Sequence, residues 1–357
     1  MDLEVEQPAG QVAWDQALLE LPARHLLQTW EWGAFKSRHG WQPSRRLWVE
    51  SKTGQPKAAA SLLTRRLGLL PLSVVYVPRG PLLDYTNTEL LSNVLEWLET
   101  TARRRRALFV KIDAEAEPET PEGEVLLATL RRRGWRPSKE EIQFQNTLLL
   151  DLRPSLDDIL MGMKSKWRYN VRLAQRKGVT VRHGTRDDVP LLYDMYRDTA
   201  RRSGFVIRPE AYYQDAWGSF IEQGLAQPLV AEVESEPVAM VVIYRFGETA
   251  TYMYGASLSL HRDKMPNNLL QWEAIQWAKE RGCTVYDMWG APDQLDESDP
   301  MWGVYRFKKG FGAELVEHIG AWDYPVWPVG YDLYRVLMPR AMAALRWLHW
   351  HRTPDGG

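Results

Sequence analysis

The chain reads as an α/β protein built from one unit repeated, and three observations carry that reading. The same order of elements (strand, strand, helix, strand, helix, strand) occurs in each half. The two copies have nearly the same span, since Gly134 lies 76 residues beyond Ala58 and Gly310 lies 72 beyond Val238. Each copy also turns a helix into a strand at a basic-Gly-aromatic corner, "RRRGW" (131–135) and "FKKGFG" (307–312).

In the first copy, "AAASLLTRRL" (58–67) and "SVVYVPRGPLL" (73–83) are apolar runs of strand length. Pro78, Gly80 and Pro81 force a stiff exit from the second. "TELLSNVLEWLETTARRR" (88–105) spaces its apolar residues three and four apart, the helical period. "ALFVKID" (107–113) is a buried strand, "EVLLATLRRRGW" (124–135) a helix stopped by Gly134, and "IQFQNTLLLDL" (142–152) a last strand. In the second copy, "PVAMVVIYRF" (237–246) and "TATYMYGASL" (249–258) are strands, followed by the helix "NNLLQWEAIQWAKERG" (267–282). The strand "TVYDMWG" (284–290), a short helix stopped by Gly310 and the strand "AELVEHIGAWDY" (313–324) complete it. Each copy predicts a mixed sheet with helices on both faces.

Composition narrows the function classes. A net charge of −1 and a pI near 6.7 provide no global field for nucleic acid or acidic lipid, so anion binding must be local. One cysteine, Cys283, excludes an internal disulfide framework and fits a reducing compartment. The start "MDLEVEQPAG" is acidic and has no apolar core, and no run approaches 18 apolar residues. A cytoplasmic protein, monomeric and at most resting on the inner membrane surface, is the expectation. The tail "YDLYRVLMPRAMAALRWLHWHR" carries an apolar stripe broken by Pro339, with Arg346, Trp347, Trp350 and Arg352 near its end. It fits packing across the first domain or contact with a membrane interface. The histidines are scattered, His349 and His351 included, so no metal is expected.

The element order matches two similar GNAT-like domains, a duplicated acyltransferase fold. The expected division is 1–150 plus 316–357 for the first domain and 151–315 for the second. An acyl-CoA donor needs a Gly-rich pyrophosphate loop opening a helix. The nearest candidate, "QRKGVTV" (175–181), lacks the second glycine.

Six segments together resemble the FemABX family of tRNA-dependent peptidyltransferases: "LLQTWEWGAFKSRHGW" (26–41), "YVPRGPLLD" (76–84), "KSKWRYNVRLAQRKGV" (164–179), "TARRSGFVIRPEAYY" (199–213), "YMYGAS" (252–257) and "RFKKGFGAEL" (306–315). "TARRSGF" runs straight into "VIRPEAYY" with no inserted coiled-coil arm, so the chain is similar to the arm-less, FemX-like members. The resemblance implies transfer of an amino acid from aminoacyl-tRNA to an amine of a peptidoglycan precursor, either UDP-linked or lipid-linked, with no cofactor. An acyl-CoA-dependent N-acyltransferase and a non-catalytic muropeptide-binding protein are the alternatives.

The resemblance carries Phe307 and Lys308 into a catalytic gap, where a fixed ammonium suits an oxyanion that exists only in the transition state. Lys309 fits a solvated helix end. Lys36, Arg208, Tyr212 and Tyr254 are the implied acceptor contacts, cations for a diphosphate and aromatic faces for a base. Asp84 is the implied carboxylate for the attacking amine, or simply a turn carboxylate. Residues 161–186 hold eight Lys or Arg and no Asp or Glu. Within them Lys164, Arg168, Arg172 and Arg176 recur every four residues along a helix face, which would repel itself unless phosphates of tRNA, or water, screen it.

Overall fold

The computed structural model describes residues 2–68 and 71–338. Two mixed sheets form the frame. The first runs Leu3–Glu6, Gln42–Glu50, Pro56–Arg66, Ser73–Val77, Ala107–Ile112, Trp322–Pro325, Arg136–Pro137, with Leu82–Leu83 also on Pro56–Arg66. The second runs Glu314–Glu317, Asn146–Asp151, Val285–Asp287, Thr249–Ser257, Glu236–Phe246, Ala226–Val233, Val179–His183. Each sheet has one parallel pair, Ser73–Val77 with Ala107–Ile112 and Thr249–Ser257 with Val285–Asp287. A parallel pair needs a crossover. Helices Thr88–Arg104 and Pro266–Glu280 supply it, so the repeat read from the sequence is a repeat in space.

Local chemistry explains the helices. Asn87 caps Thr88–Arg104 by accepting from the Leu90 amide, and the helix buries Leu91, Val94, Leu95, Leu98 and Ala102. Thr120 caps Pro121–Arg132, whose first turn holds Pro121, Glu122 and Glu124, each favoured there by the orphan amides and dipole.

The last strand of each copy departs from the sequence reading. "IQFQNTLLLDL" does not finish the first sheet. After the short strand Arg136–Pro137 the chain crosses over, and Asn146–Asp151 enters the second sheet between Val285–Asp287 and Glu314–Glu317. "AELVEHIGAWDY" splits in the same way: Glu314–Glu317 stays, and Trp322–Pro325 enters the first sheet between Ala107–Ile112 and Arg136–Pro137. The two crossings also touch. Gln145 Nε2 donates to the His318 carbonyl at 2.8 Å, and the Glu141 carboxylate accepts from the Ala321 amide at 3.0 Å. Alternation of apolar residues shows that a strand forms but not which open sheet edge receives it.

This exchange binds the halves. One core joins them, with Trp14, Phe35 and Tyr76 packed together with Trp217, Phe220, Tyr244 and Trp289. Each such side chain contributes roughly 1.5–3 kcal/mol on burial, so the junction is a core rather than a hinge. Of the chain beyond Trp322–Pro325, the described part packs on the first sheet: Tyr331 is buried, packs on Phe109 and donates to Asp323 at 2.8 Å. Pro339, Arg346, Trp347, His349, Trp350, His351 and Arg352 lie outside the described residues. Among the described residues no helix is long and apolar enough to cross a membrane.

Candidate functional site

The second sheet splays apart between two of its inner strands. Val285–Asp287 pairs with Thr249 to Thr251 only, while the neighbouring strand continues to Ser257. A bulge falls at Met253, because Ile243 faces Tyr252 and Val242 faces Tyr254. Consecutive partners lie on opposite faces, so the bulge sends Tyr252 and Tyr254 to opposite sides of the sheet. Tyr254 packs in the core between the halves and Tyr252 in the core under helix Pro266–Glu280.

Beyond Asp287 the chain does not continue as a strand. Trp289 adopts φ +57° and Gly290 φ +25°, and a tryptophan in the left-handed region costs about 1–3 kcal/mol. Asp287 holds this turn by accepting from the Trp289 amide at 2.8 Å and from the Thr147 hydroxyl. The strained turn aims two carbonyls at one point, where Lys308 Nζ donates to Trp289 O and, at 2.7 Å, to Gly290 O.

Lys308 is therefore inside the protein, 5% exposed, with no carboxylate in ion-pair range among the described residues. Burial pushes its ammonium down to about 7 against the weaker pull of Asp287. It borders a cavity of about 230 Å³ that Phe307, Tyr252, Leu270, Gln271 and Val304 also line. Its helix, Trp302–Lys309, ends at Gly310 as the sequence reading has it, but the cap is not the usual left-handed one. Gly310 is right-handed, φ −68°, and the left-handed glycine is Gly312 at φ +90°. Gly310 is required by space: a Cβ there would sit 2.1 Å from the Trp167 indole.

On the opposite face, residues from both halves converge. Lys36 Nζ donates to the Tyr212 hydroxyl at 2.9 Å, and the Arg208 guanidinium lies 4.8 Å from the Tyr212 ring centre. Burial, with repulsion from Arg208 and Arg65, lowers the Lys36 ammonium to about 8. None of these three cations has a carboxylate partner among the described residues. Such a cluster is stabilised by an incoming anion. Tyr254 stands one ring further in, 6.0 Å from Tyr213, which is 5.5 Å from Tyr212.

The basic segment forms helix Ser165–Arg176, docked on the Lys308 helix. The Lys164 amide donates to Gly310 O at 2.9 Å, and Trp167 Nε1 to Phe307 O at 3.0 Å. Lys164, Lys166, Arg172 and Arg176 are exposed. Arg168 corrects the expected face: its guanidinium is spent on the carbonyls of Met161 and Met163, closing the end of helix Leu156–Gly162. Of the two readings of Asp84, its geometry matches the turn carboxylate. It is exposed and accepts from the Thr86 amide and hydroxyl at 2.9 and 2.6 Å, an Asx turn before Thr88–Arg104, with no contact to Lys308 or Lys36 among the described residues.

The sequence reading missed a polar network between the halves. Asp113 accepts from the Tyr76 hydroxyl and the Arg79 amide, both at 2.6 Å, and burial pushes its carboxyl up to about 6. Glu115 lies 3.4 Å from both His25 and Arg79; burial opposes its charge, yet these partners hold it well below the usual carboxylate range. The Arg79 guanidinium, 3% exposed, stacks 5.3 Å from the Trp289 ring, so the network braces the turn that holds Lys308. "YVPRG" offered a signal, an arginine inside a stiff apolar turn, but its partners are remote in sequence.

Comparison with known proteins follows this geometry. The lipid II:glycine glycyltransferase of Staphylococcus epidermidis is 26% identical over 391 residues, covering 90% of this chain and 93% of that protein. The Staphylococcus aureus protein of the same name is 25% identical over 396 residues, with the same coverage. A crystal structure of FemX superposes with a TM-score of 0.86 at 23% identity, covering 93% of this chain and all (100%) of FemX. A tandem GNAT protein from the clavulanic acid pathway superposes at 0.52 with 14% identity, covering 91% of this chain and 99% of that one. The FemAB family matches residues 14–235 and 222–338, which together take in the second sheet, all of the first but its strand Leu3–Glu6, and Lys308 and its cavity, so this chain belongs to the FemAB family.

Proposed function

We propose that the protein transfers an amino acid from aminoacyl-tRNA to an amine of a peptidoglycan precursor peptide. One observation carries the reading: a buried ammonium, with no carboxylate in ion-pair range among the described residues, borders a cavity beside a basic helix, and a cation cluster stands on the other face of the same sheet. The tRNA end approaches from the side of Lys164, Lys166, Arg172 and Arg176, and its ester enters the cavity beside Phe307 and Lys308. The acceptor's diphosphate rests on Lys36 and Arg208, with Tyr212 and Tyr254 as aromatic walls.

The acceptor nitrogen attacks the ester carbonyl carbon. A C–N bond forms, the C–O bond to ribose breaks, and the ribose oxygen takes the proton that the amine gives up. The carbonyl oxygen is negative only between those events. Lys308 stabilises it there, a contact typically contributing about 3–4 kcal/mol, or ~10²–10³ in rate. The names of the two glycyltransferase relatives favour a lipid-linked acceptor and glycine as the transferred residue. A UDP-linked precursor offers the same diphosphate, so both acceptors are tested. Such an enzyme would work in the cytoplasm at the membrane surface.

The test incubates the protein with charged total tRNA and either UDP-linked or lipid-linked pentapeptide, then weighs the product. A gain of one amino-acid residue on one acceptor, abolished by RNase, is expected. No gain on either acceptor overturns the reading.

A further inference from the structure

The cavity beside Lys308 contains a second polar device. Gln271, 1% exposed, lies on helix Pro266–Glu280 and lines the cavity. Its Oε1 accepts from the Tyr286 hydroxyl at 2.9 Å, which sets the orientation of the amide. Its buried Nε2 has no hydrogen-bond partner among the described residues, and the amide lies near enough to the Tyr252 phenol to pull it down against the larger upward push of burial. Tyr252 belongs to this face only because the bulge at Met253 turns it away from Tyr254. Its ring centre lies 5.8 Å from Lys308 Nζ. Its hydroxyl folds back over Gly255, where a Cβ would lie 2.0 Å away, so the glycine leaves the room that the phenol occupies.

From this arrangement we infer that the Tyr252 hydroxyl is a second hydrogen-bond donor to the oxygen that turns negative during acyl transfer, with Gln271 as its positioning residue. The inference rests on the aminoacyl-transfer reading above. A Gln271 N–H closing on the phenol oxygen would leave the phenol proton to point into the cavity, where no protein acceptor claims it among the described residues. The two donors also complement each other. Lys308, lowered to about 7, is partly neutral in the physiological range, whereas burial raises Tyr252 to about 12 and keeps it a protonated donor. A site relying on Lys308 alone would weaken above neutrality; one with a phenol beside it keeps a donor.

The test measures binding by calorimetry, so it does not depend on turnover. Two probes are used: the glycyl amide of 3′-amino-3′-deoxyadenosine, planar at the carbonyl, and the matching phosphonate, tetrahedral and anionic. The expected result is that Tyr252→Phe loses about 10–100-fold in affinity for the phosphonate and less than about twofold for the amide. Gln271→Met, with its melting temperature recorded alongside, should reduce the same phosphonate-to-amide preference by a smaller factor. A merely structural role would move both affinities together. Equal loss for both probes, or no loss for either, overturns the role of Tyr252 while leaving the transfer reading standing. If the unaltered protein binds neither probe, the transfer reading of this cavity fails, and this inference with it.

Discussion

Two corners of the molecule carry nearly the same residues and have become different things. At "RRRGW", Gly134 is left-handed at φ +84° with open space around it, an ordinary helix stop. Arg133 forms a fork on Glu99 at 2.8 and 2.9 Å, and Glu99 also accepts from Trp135 Nε1 at 3.0 Å. Arg132, the counterpart of Lys308, is exposed. At "FKKGFG" the glycine is kept by a neighbouring indole, and the lysine is buried against carbonyls rather than a carboxylate. A charge with a carboxylate partner is finished as a structural element. One satisfied only by carbonyl dipoles, when protonated, has its charge uncancelled and available to a substrate.

The sharpest way to break this comparison is a matched pair of variants. Lys308→Met should lower kcat by about 10²–10³ with acceptor affinity changed less than twofold, whereas Arg132→Met should leave kcat within about twofold. Steady-state kinetics on purified acceptor checks both. Equal loss of kcat and affinity in Lys308→Met would make the lysine an ordinary binding contact.

The next effect is on pH. Because burial lowers Lys308 to about 7, the charged form is lost as pH rises through that value. At saturating substrates kcat should fall on the alkaline side, by up to about tenfold per unit, towards the level sustained by the remaining donors. Lys308→Arg should abolish that limb, since a guanidinium stays protonated, even if its absolute rate is lower. A pH–rate profile between roughly 6 and 9 decides it, and an unchanged limb in Lys308→Arg would assign it to another group.

The smallest effect belongs to the other corner. Arg133→Ala strands Glu99, a carboxylate only 4% exposed. Breaking a fully buried pair costs about 3–5 kcal/mol; with Arg133 at the rim and Trp135 still donating, about 2 kcal/mol is expected. Scanning calorimetry should show a melting temperature lower by a few degrees, with kcat at 25 °C unchanged. A variant that lost activity but kept its melting temperature would mean that this corner, too, serves the reaction.

How much was legible in the sequence depends on the range of the interaction. The sequence reading and the structure agree on the repeat, the mixed sheets and the helices that cross over within them. Lys36, Arg208 and Tyr212 were read as one cluster, and the structure brings them together although Lys36 is 176 residues from Tyr212. Arg168 was read as a free charge, and Asp84 was left between two readings, for a shared reason: each side chain satisfies groups a few residues away, and residue type does not reveal whether a charge is already occupied. The opposite orientation of Tyr252 and Tyr254 was hidden by one bulged residue, which inverts the alternation that "YMYGAS" suggests. Asp113, Glu115 and Gln271 had no signal, because their partners come from other elements.

What the sequence alone determined was local: where helices start and stop, which segments are strands, and that the pattern occurs twice. Hydrophobic period, caps and glycine geometry act within a few residues and leave their mark there. The tertiary structure alone decided which sheet receives each crossing strand and which of two similar corners is sealed from water. Both depend on what the rest of the chain places around a side chain, and a lysine's charge is weakly held at about 7 only where other segments have taken its solvent away.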